Sequence, residues 1–371
     1  MFAVVTGGGT AGHVLPALAV ADALCAAGRS AEEVHYVGCT RGIETKLLPD
    51  TPYAHTFYDV VGFQRSIDRR SLATNLRFGP KMFRARRAAV ELLRRLKPQV
   101  VVTVGGYASM PVVFGAKKLG IPIVVVSYDR RPGRASRVAA RDAVACAVAF
   151  EGSDLPNSTV TGAPVRQEIL AIDRTDDRAA ARDRLGVPAD RFLVAVMGGS
   201  LGSGVLNAQL REYVDLHQGD ASVAVRQVAG ERFVEAIDVR DEGAAGIVHQ
   251  VVGYEPDMAS LYAAADVFIG RGGASTVHEV AVTAVPAILV PWSGAADDHQ
   301  THNVEWLSGV GAALMLTESE LPRLIDEIER LQADPDARRA LSDAARARGE
   351  IHRSGALAGL VEQVAVTSPS S

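Results

Sequence analysis

Residues able to do chemistry cluster in glycine-rich turns and one polar loop. Thr6-Gly-Gly-Gly-Thr-Ala-Gly-His13 satisfies G-x-G-x-x-G through Gly7, Gly9 and Gly12. Glycine allows a tight turn and close approach of an anion to the amides at a helix N-terminus. A dinucleotide site also needs an acidic residue closing the second strand. That strand instead ends in Gly38-Cys-Thr-Arg41, which disfavours a nicotinamide dehydrogenase. His13 falls in the first helical turn, where the dipole keeps imidazole neutral and able to accept a proton; the bland alternative is a residue that only caps the helix.

The turn Gly198-Gly-Ser-Leu-Gly-Ser-Gly204 adds the hydroxyls of Ser200 and Ser203 to its amides, which suits a diphosphate or a purely structural turn. Gly270-Arg-Gly-Gly-Ala-Ser-Thr-Val-His-Glu279 places Glu279 about one turn into a helix. A carboxylate there accepts hydrogen bonds from the two hydroxyls of a ribose, or merely complements the dipole. In Pro291–Asn303, Asp298, His299 and Gln300 suit sugar hydroxyls. His299 and His302 lack a third ligand at supporting spacing, so no metal is expected.

These turns need strands before them and helices after them. Runs at Ala3–Thr6, Val34–Val37, Val100–Val104 and Ile121–Ser127 alternate with helical patterns, and the rhythm restarts at Phe192–Met197, Val223–Val228, Val267–Gly270 and Ala287–Val290. That alternation predicts an α/β chain of two Rossmann-like, doubly wound parallel-sheet domains, with a linker near Thr161-Gly-Ala-Pro-Val-Arg166 and a disordered tail from Thr367.

The 371 residues suit two cores, and 48% hydrophobic with 22% charged residues excludes disordered and collagen-like classes. The net charge of −4 hides an asymmetry: residues 1–163 hold 21 Lys and Arg against 12 Asp and Glu, leaving 18 against 31 for residues 164–371. A basic first half points to an anionic partner. Its densest stretch, residues 64–97, carries Arg65, Arg69, Arg70, Arg77, Lys81, Arg84, Arg86, Arg87, Arg94, Arg95 and Lys97 against Asp68 and Glu91, with Leu72, Leu76, Phe78, Met82 and Phe83 interleaved. This pattern suits an anionic membrane surface or a solvated helix face; no nucleic-acid motif accompanies it. Cys25, Cys39 and Cys146 lack disulfide or zinc spacing, as expected of a reducing cytosol, and no signal peptide or membrane span is read.

Together, Gly8-Gly-Thr-Ala-Gly-His-Val-Leu-Pro16, Gly105-Gly-Tyr-Ala-Ser-Met-Pro111, Thr161-Gly-Ala-Pro-Val-Arg166, Gly198-Gly-Ser-Leu-Gly202, Arg271–Glu279 and Ala295–Asn303 resemble the MurG family, in its order and over nearly the whole chain. The resemblance implies a GT-B fold whose two domains face a cleft: an acceptor domain at 1–163, a donor domain at 164–340, and a C-terminal segment, 341–371, packing back on the first. It implies inverting, metal-independent transfer of N-acetylglucosamine from UDP-N-acetylglucosamine to the 4-hydroxyl of lipid I, an undecaprenyl-pyrophosphoryl acceptor. The product is lipid II, made at the cytoplasmic face of the membrane without a cofactor.

By resemblance His13 is the base. Thr10, Ala11, Gly12, Arg166, Ser200, Leu201, Gly202, Arg271, Ala274, Glu279, His299 and Gln300 hold the donor; Gly105, Gly106, Tyr107, Ser109 and Asp129 face the acceptor. One segment departs: where the family carries His-Glu-Gln-Asn, this chain has Val126-Ser-Tyr-Asp129. A related transferase with a different acceptor, or a nucleotide-sugar-binding protein without turnover, are the alternative readings of that segment.

Overall fold

The computed structural model describes residues 1–62, 69–199, 201–295 and 298–367. Ser200 and part of the basic 64–97 stretch lie outside the described residues, as do residues 368–371 of the expected disordered tail. The chain divides into two compact units, Met1–Gln167 with Ser354–Ser371, and Glu168–Arg353.

The first unit holds seven strands: β1 (Ala3–Thr6), β2 (Val34–Cys39), β3 (Ala54–Tyr58), β4 (Val100–Thr103), β5 (Ile123–Ser127), β6 (Ala145–Val148) and β7 (Ser158–Val160). They pair in the order β3-β2-β1-β4-β5-β6-β7, every pair parallel. Strands β1, β2, β4, β5 and β6 are buried along their whole length, which explains their near-continuous Val and Ala content. The order reverses between β1 and β4. Their following turns, Gly7–Gly12 and Gly105–Gly106, therefore flank the crevice where such sheets hold ligands.

The second unit repeats the design with β8 (Phe192–Met197), β9 (Val223–Val228), β10 (Val248–Val252), β11 (Val267–Arg271), β12 (Ala287–Val290) and β13 (Leu314–Met315). The order is β10-β9-β8-β11-β12-β13, again all parallel. Here the reversal lies between β8 and β11, so the turns after those strands flank the second crevice.

The boundaries differ from those read in the sequence. The first crossing falls at Gln167 rather than at residue 163, because Thr161, Gly162, Ala163 and Val165 are buried within the first unit. The return falls at Ser354 rather than near residue 341. The helix Pro335–Arg353 presents Leu341, Ala345, Gly349 and His352 as a buried stripe and packs on the helix Ala274–Thr283, so it belongs to the second unit. A side chain on Gly349 would reach within 2.4 Å of the Ala281 carbonyl. Gly355, at φ +73°, breaks the path, and only the helix Ala356–Thr367 joins the first unit. It packs on the helix Ala11–Ala26, with Glu362 paired to Arg29 at 3.1 Å.

Candidate active site

In the first unit His13 sits in the opening turn of the helix Ala11–Ala26. Thr10 at the N-cap position makes no side-chain cap bond; its Oγ1 lies 3.0 Å from His13 Nδ1. If Nδ1–H donates to Thr10, Nε2 keeps its lone pair and can accept a proton. Burial lowers the His13 pKa, with the Asp129 and Glu44 carboxylates opposing it in part, so the ring is neutral at pH 7. The backbone of Gly106 seats this ring: at φ +80°, an added Cβ would stand 2.8 Å from the Gly8 carbonyl and 3.3 Å from His13 Cγ and Cδ2.

Two contacts turn polar groups of this unit's glycine turns inward. The Gly9 amide does not face outward: it donates to Glu44 Oε1 at 3.1 Å, a fully buried carboxylate that also accepts from the Cys39 amide at 2.9 Å. Ser109 is fully buried and donates to the Gly106 carbonyl at 2.9 Å, so its hydroxyl shapes the turn. Tyr107 packs its ring against Gly9, and burial raises its hydroxyl pKa. The divergent segment has a clear local role: the Tyr128 hydroxyl donates to the Gly12 carbonyl, tying the end of β5 to the helix turn that bears His13. Half-buried Asp129 follows, close enough to act on His13 electrostatically. Gly105 (φ +88°) sits beside Ser136, and Arg166 is half-buried near the end of this unit.

The second unit gathers its residues at the C-terminal ends of β8, β11 and β12. Gly199 and Gly202 adopt φ +86° and +71°, and Gly202 lies so close to the Ala229 carbonyl that a Cβ would reach 2.1 Å. Leu201 is 71% exposed at the tip of that turn. Ser203 caps the helix Gly204–Leu216. Arg271 is buried and ion-paired to Glu318 at 2.7 Å. Ala274 opens the helix Ala274–Thr283 and is also buried, as is Glu279, whose Oε2 accepts from the fully buried Tyr262 hydroxyl at 2.9 Å. His299 and Gln300 begin the helix His299–Ser308, and Gln300 Oε1 accepts from the Trp292 amide at 3.0 Å, holding the loop by its own side chain.

Sequence reasoning missed Tyr262, Glu318, Tyr128 and Glu44. Each lies outside the glycine motifs and acquires its role only through tertiary contact. Among the described residues no group of three His, Cys, Asp or Glu is placed to hold a metal, and no helix is long and apolar enough to cross a membrane.

Residues 3–148 match the glycosyltransferase family 28 N-terminal domain, and residues 193–356 the family 28 C-terminal domain. A UDP-N-acetylglucosamine--N-acetylmuramyl-(pentapeptide) pyrophosphoryl-undecaprenol N-acetylglucosamine transferase from Xanthomonas axonopodis pv. citri (strain 306) is 34% identical over 365 residues, 98% of this chain and 82% of that protein. The transferase of the same name from Nitrosococcus oceani is 36% identical over 360 residues, 96% of each chain. The crystal structure of Acinetobacter baumannii MurG superimposes with a TM-score of 0.69 at 27% identity, covering 98% of both chains. The fold is thus GT-B, and the chain belongs to the MurG family of family 28 glycosyltransferases.

Proposed function

We propose that this protein transfers N-acetylglucosamine from UDP-N-acetylglucosamine to the 4-hydroxyl of the N-acetylmuramyl group of lipid I, forming lipid II with inversion at the anomeric carbon. The observation that carries this reading is similarity over nearly the whole chain to transferases of that name, and the glycine turns after β8 and β11, which flank the switch point of the second sheet, suit a donor diphosphate. In this reading Glu279 holds the ribose, the Gly198–Ser203 turn the diphosphate, and His299 with Gln300 the sugar. His13 removes the acceptor proton as the oxygen attacks, and UDP leaves into a set of fixed amides and hydroxyls that favours its growing charge.

The basic helix is proposed to meet the membrane. Arg69–Leu96 buries Ala85, Ala89, Leu92 and Leu93, and exposes Arg84, Arg86, Arg87, Arg94 and Arg95 beside Phe83, which is 70% exposed. Such a face attracts anionic head groups while an aromatic ring enters the interface, which supports a peripheral position at the cytoplasmic leaflet. The test is UDP release from UDP-N-acetylglucosamine with a lipid I analogue, beside the same analogue lacking its peptide. Release with the first acceptor supports the reading; release with neither, from a protein that still binds UDP-N-acetylglucosamine, overturns it. Co-sedimentation with phosphatidylglycerol vesicles, weakened by salt and by Arg84→Glu, tests the membrane face.

A further inference from the structure

One arginine joins the segments that carry the donor loops. Arg271 donates through Nη1 to the carbonyls of Val290 at 3.2 Å and Pro291 at 3.3 Å, and through Nη2 to Ser203 Oγ at 2.8 Å and Glu318 Oε1 at 2.7 Å. With four protein acceptors and 8% exposure, its guanidinium has no open fork for a diphosphate. The family resemblance places Arg271 at the donor, and the geometry gives it a different task there.

That task is visible at Ser203. Its oxygen receives two hydrogen bonds, from Arg271 Nη2 and from the Leu206 amide at 3.4 Å. A hydroxyl oxygen has two lone pairs and one proton, so only the proton is left to use. Ser203 is 6% exposed, closes the Gly198–Gly202 turn, and finds no acceptor for that proton among the described residues. Glu318 completes the arrangement. Burial raises its pKa, but hydrogen bonds from Ser293 and Arg271 and the Arg271 charge outweigh this and hold it below the usual value. It is therefore ionised at neutral pH and cancels the arginine charge.

We propose that the Arg271–Glu318 pair commits the Ser203 hydroxyl to donate to the leaving diphosphate while adding no net charge of its own to the site, so that UDP is stabilised by this dipole and still released. The proposal rests on the donor-site reading of this unit. In the transfer, the bond from the anomeric carbon to the β-phosphate oxygen breaks and its electron pair goes to that oxygen. The acceptor oxygen takes its place on the carbon and yields its proton to His13. Ser203 gives a hydrogen bond that strengthens as charge builds and keeps its proton; Arg271 is a positioning residue.

Two variants of the full chain should move UDP affinity in opposite directions. Ser203→Ala removes the donor: UDP binds about tenfold more weakly and kcat falls about 100-fold, with uridine affinity unchanged. Glu318→Gln keeps an oxygen for Arg271 but removes its counter-charge, so UDP binds about tenfold tighter and with a steeper salt dependence. Calorimetry with UDP and uridine, beside steady-state UDP release, reads both. A structural role alone would weaken UDP binding in both variants and overturn the proposal, as would unchanged UDP affinity and kcat in Ser203→Ala. A wild-type protein that binds neither UDP nor uridine would instead overturn the donor-site reading itself.

Discussion

Replacing Tyr262 by Phe isolates one hydrogen bond at the residue assigned to the ribose. The ring stays, 4.9 Å from Phe268, while the hydroxyl that donates to Glu279 Oε2 at 2.9 Å is removed. A hydrogen bond to a charged group contributes about 1.5–3 kcal/mol, which bounds the loss of stability. The effect on binding is smaller. Glu279 loses a fixed direction, and ordering one long side chain on association costs about 0.5–1.5 kcal/mol. At 1.4 kcal/mol per factor of ten, UDP affinity falls about two- to tenfold. Because the loss passes through the two ribose hydroxyls, 2′,3′-dideoxy-UDP should bind wild type and variant equally. KM for UDP-N-acetylglucosamine should rise with kcat nearly constant. Calorimetry with the two nucleotides is the assay. An equal loss for both, or unchanged UDP affinity beside a lowered melting temperature, would refute the argument and leave Tyr262 as a packing residue only.

His13→Ala should lower transfer by at least about 100-fold, the scale of a lost general base, with UDP-N-acetylglucosamine affinity retained; full activity would remove His13 from the mechanism. Gly106→Ala forces a Cβ to 2.8 Å from the Gly8 carbonyl at φ +80° and displaces the backbone that seats His13. Turnover should fall more than about tenfold, whereas wild-type rates would show that the turn does not position the base. Acid should destabilise the fold in a defined window. Burial lowers His35 and His249 to about 4 and His352 to about 2, so below pH 6.5 the unfolded chain takes up protons that the native state refuses. Stability is constant above pH 6.5 on this account and declines by about 2 kcal/mol per histidine by pH 5. Urea unfolding at pH 7 and pH 5 reads it, and equal values would show that these imidazoles are not held neutral.

What the sequence displays well is whatever is local. Every strand read from a β-branched run is present, because strands buried on both faces must be continuously apolar. Ala54–Tyr58, Ser158–Val160 and Leu314–Met315 carry no such signal; they are sheet-edge strands, and pairing rather than composition makes them strands. The glycine turns were legible for a similar reason, since left-handed φ at Gly199, Gly202, Gly105 and Gly106 narrows the choice of residue. Glu44 and Tyr128 were not, because what they do depends on partners 35 and 116 positions away. The helix Pro335–Arg353 shows the limit for boundaries. Its apolar stripe announces that it packs, but not against which unit.

The charge asymmetry between the two halves gains a physical meaning from these contacts. A half with 18 cations and 31 anions is a poor place to bind a diphosphate by bulk attraction, and its buried arginines do not reverse that. Arg178 and Arg182 are paired to Asp266 at 2.6 and 2.7 Å, Arg226 to Glu255 at 2.7 Å, and Arg271 to Glu318. Arg182 spends its other donors on the carbonyls of Ala264, Pro188, Ala189 and Arg191. These four guanidiniums meet three carboxylates, Asp266 being shared by two of them, and each is committed to partners within the protein. On the proposed reading an anionic ligand meets oriented dipoles at the turns after β8 and β11, which need no reorganisation as the leaving group gains charge, beside the exposed Arg232 that donates to the Gly202 carbonyl at 3.3 Å. An enzyme that must discharge an anionic product each cycle gains from committing its buried cations, such as Arg271, to partners within the protein.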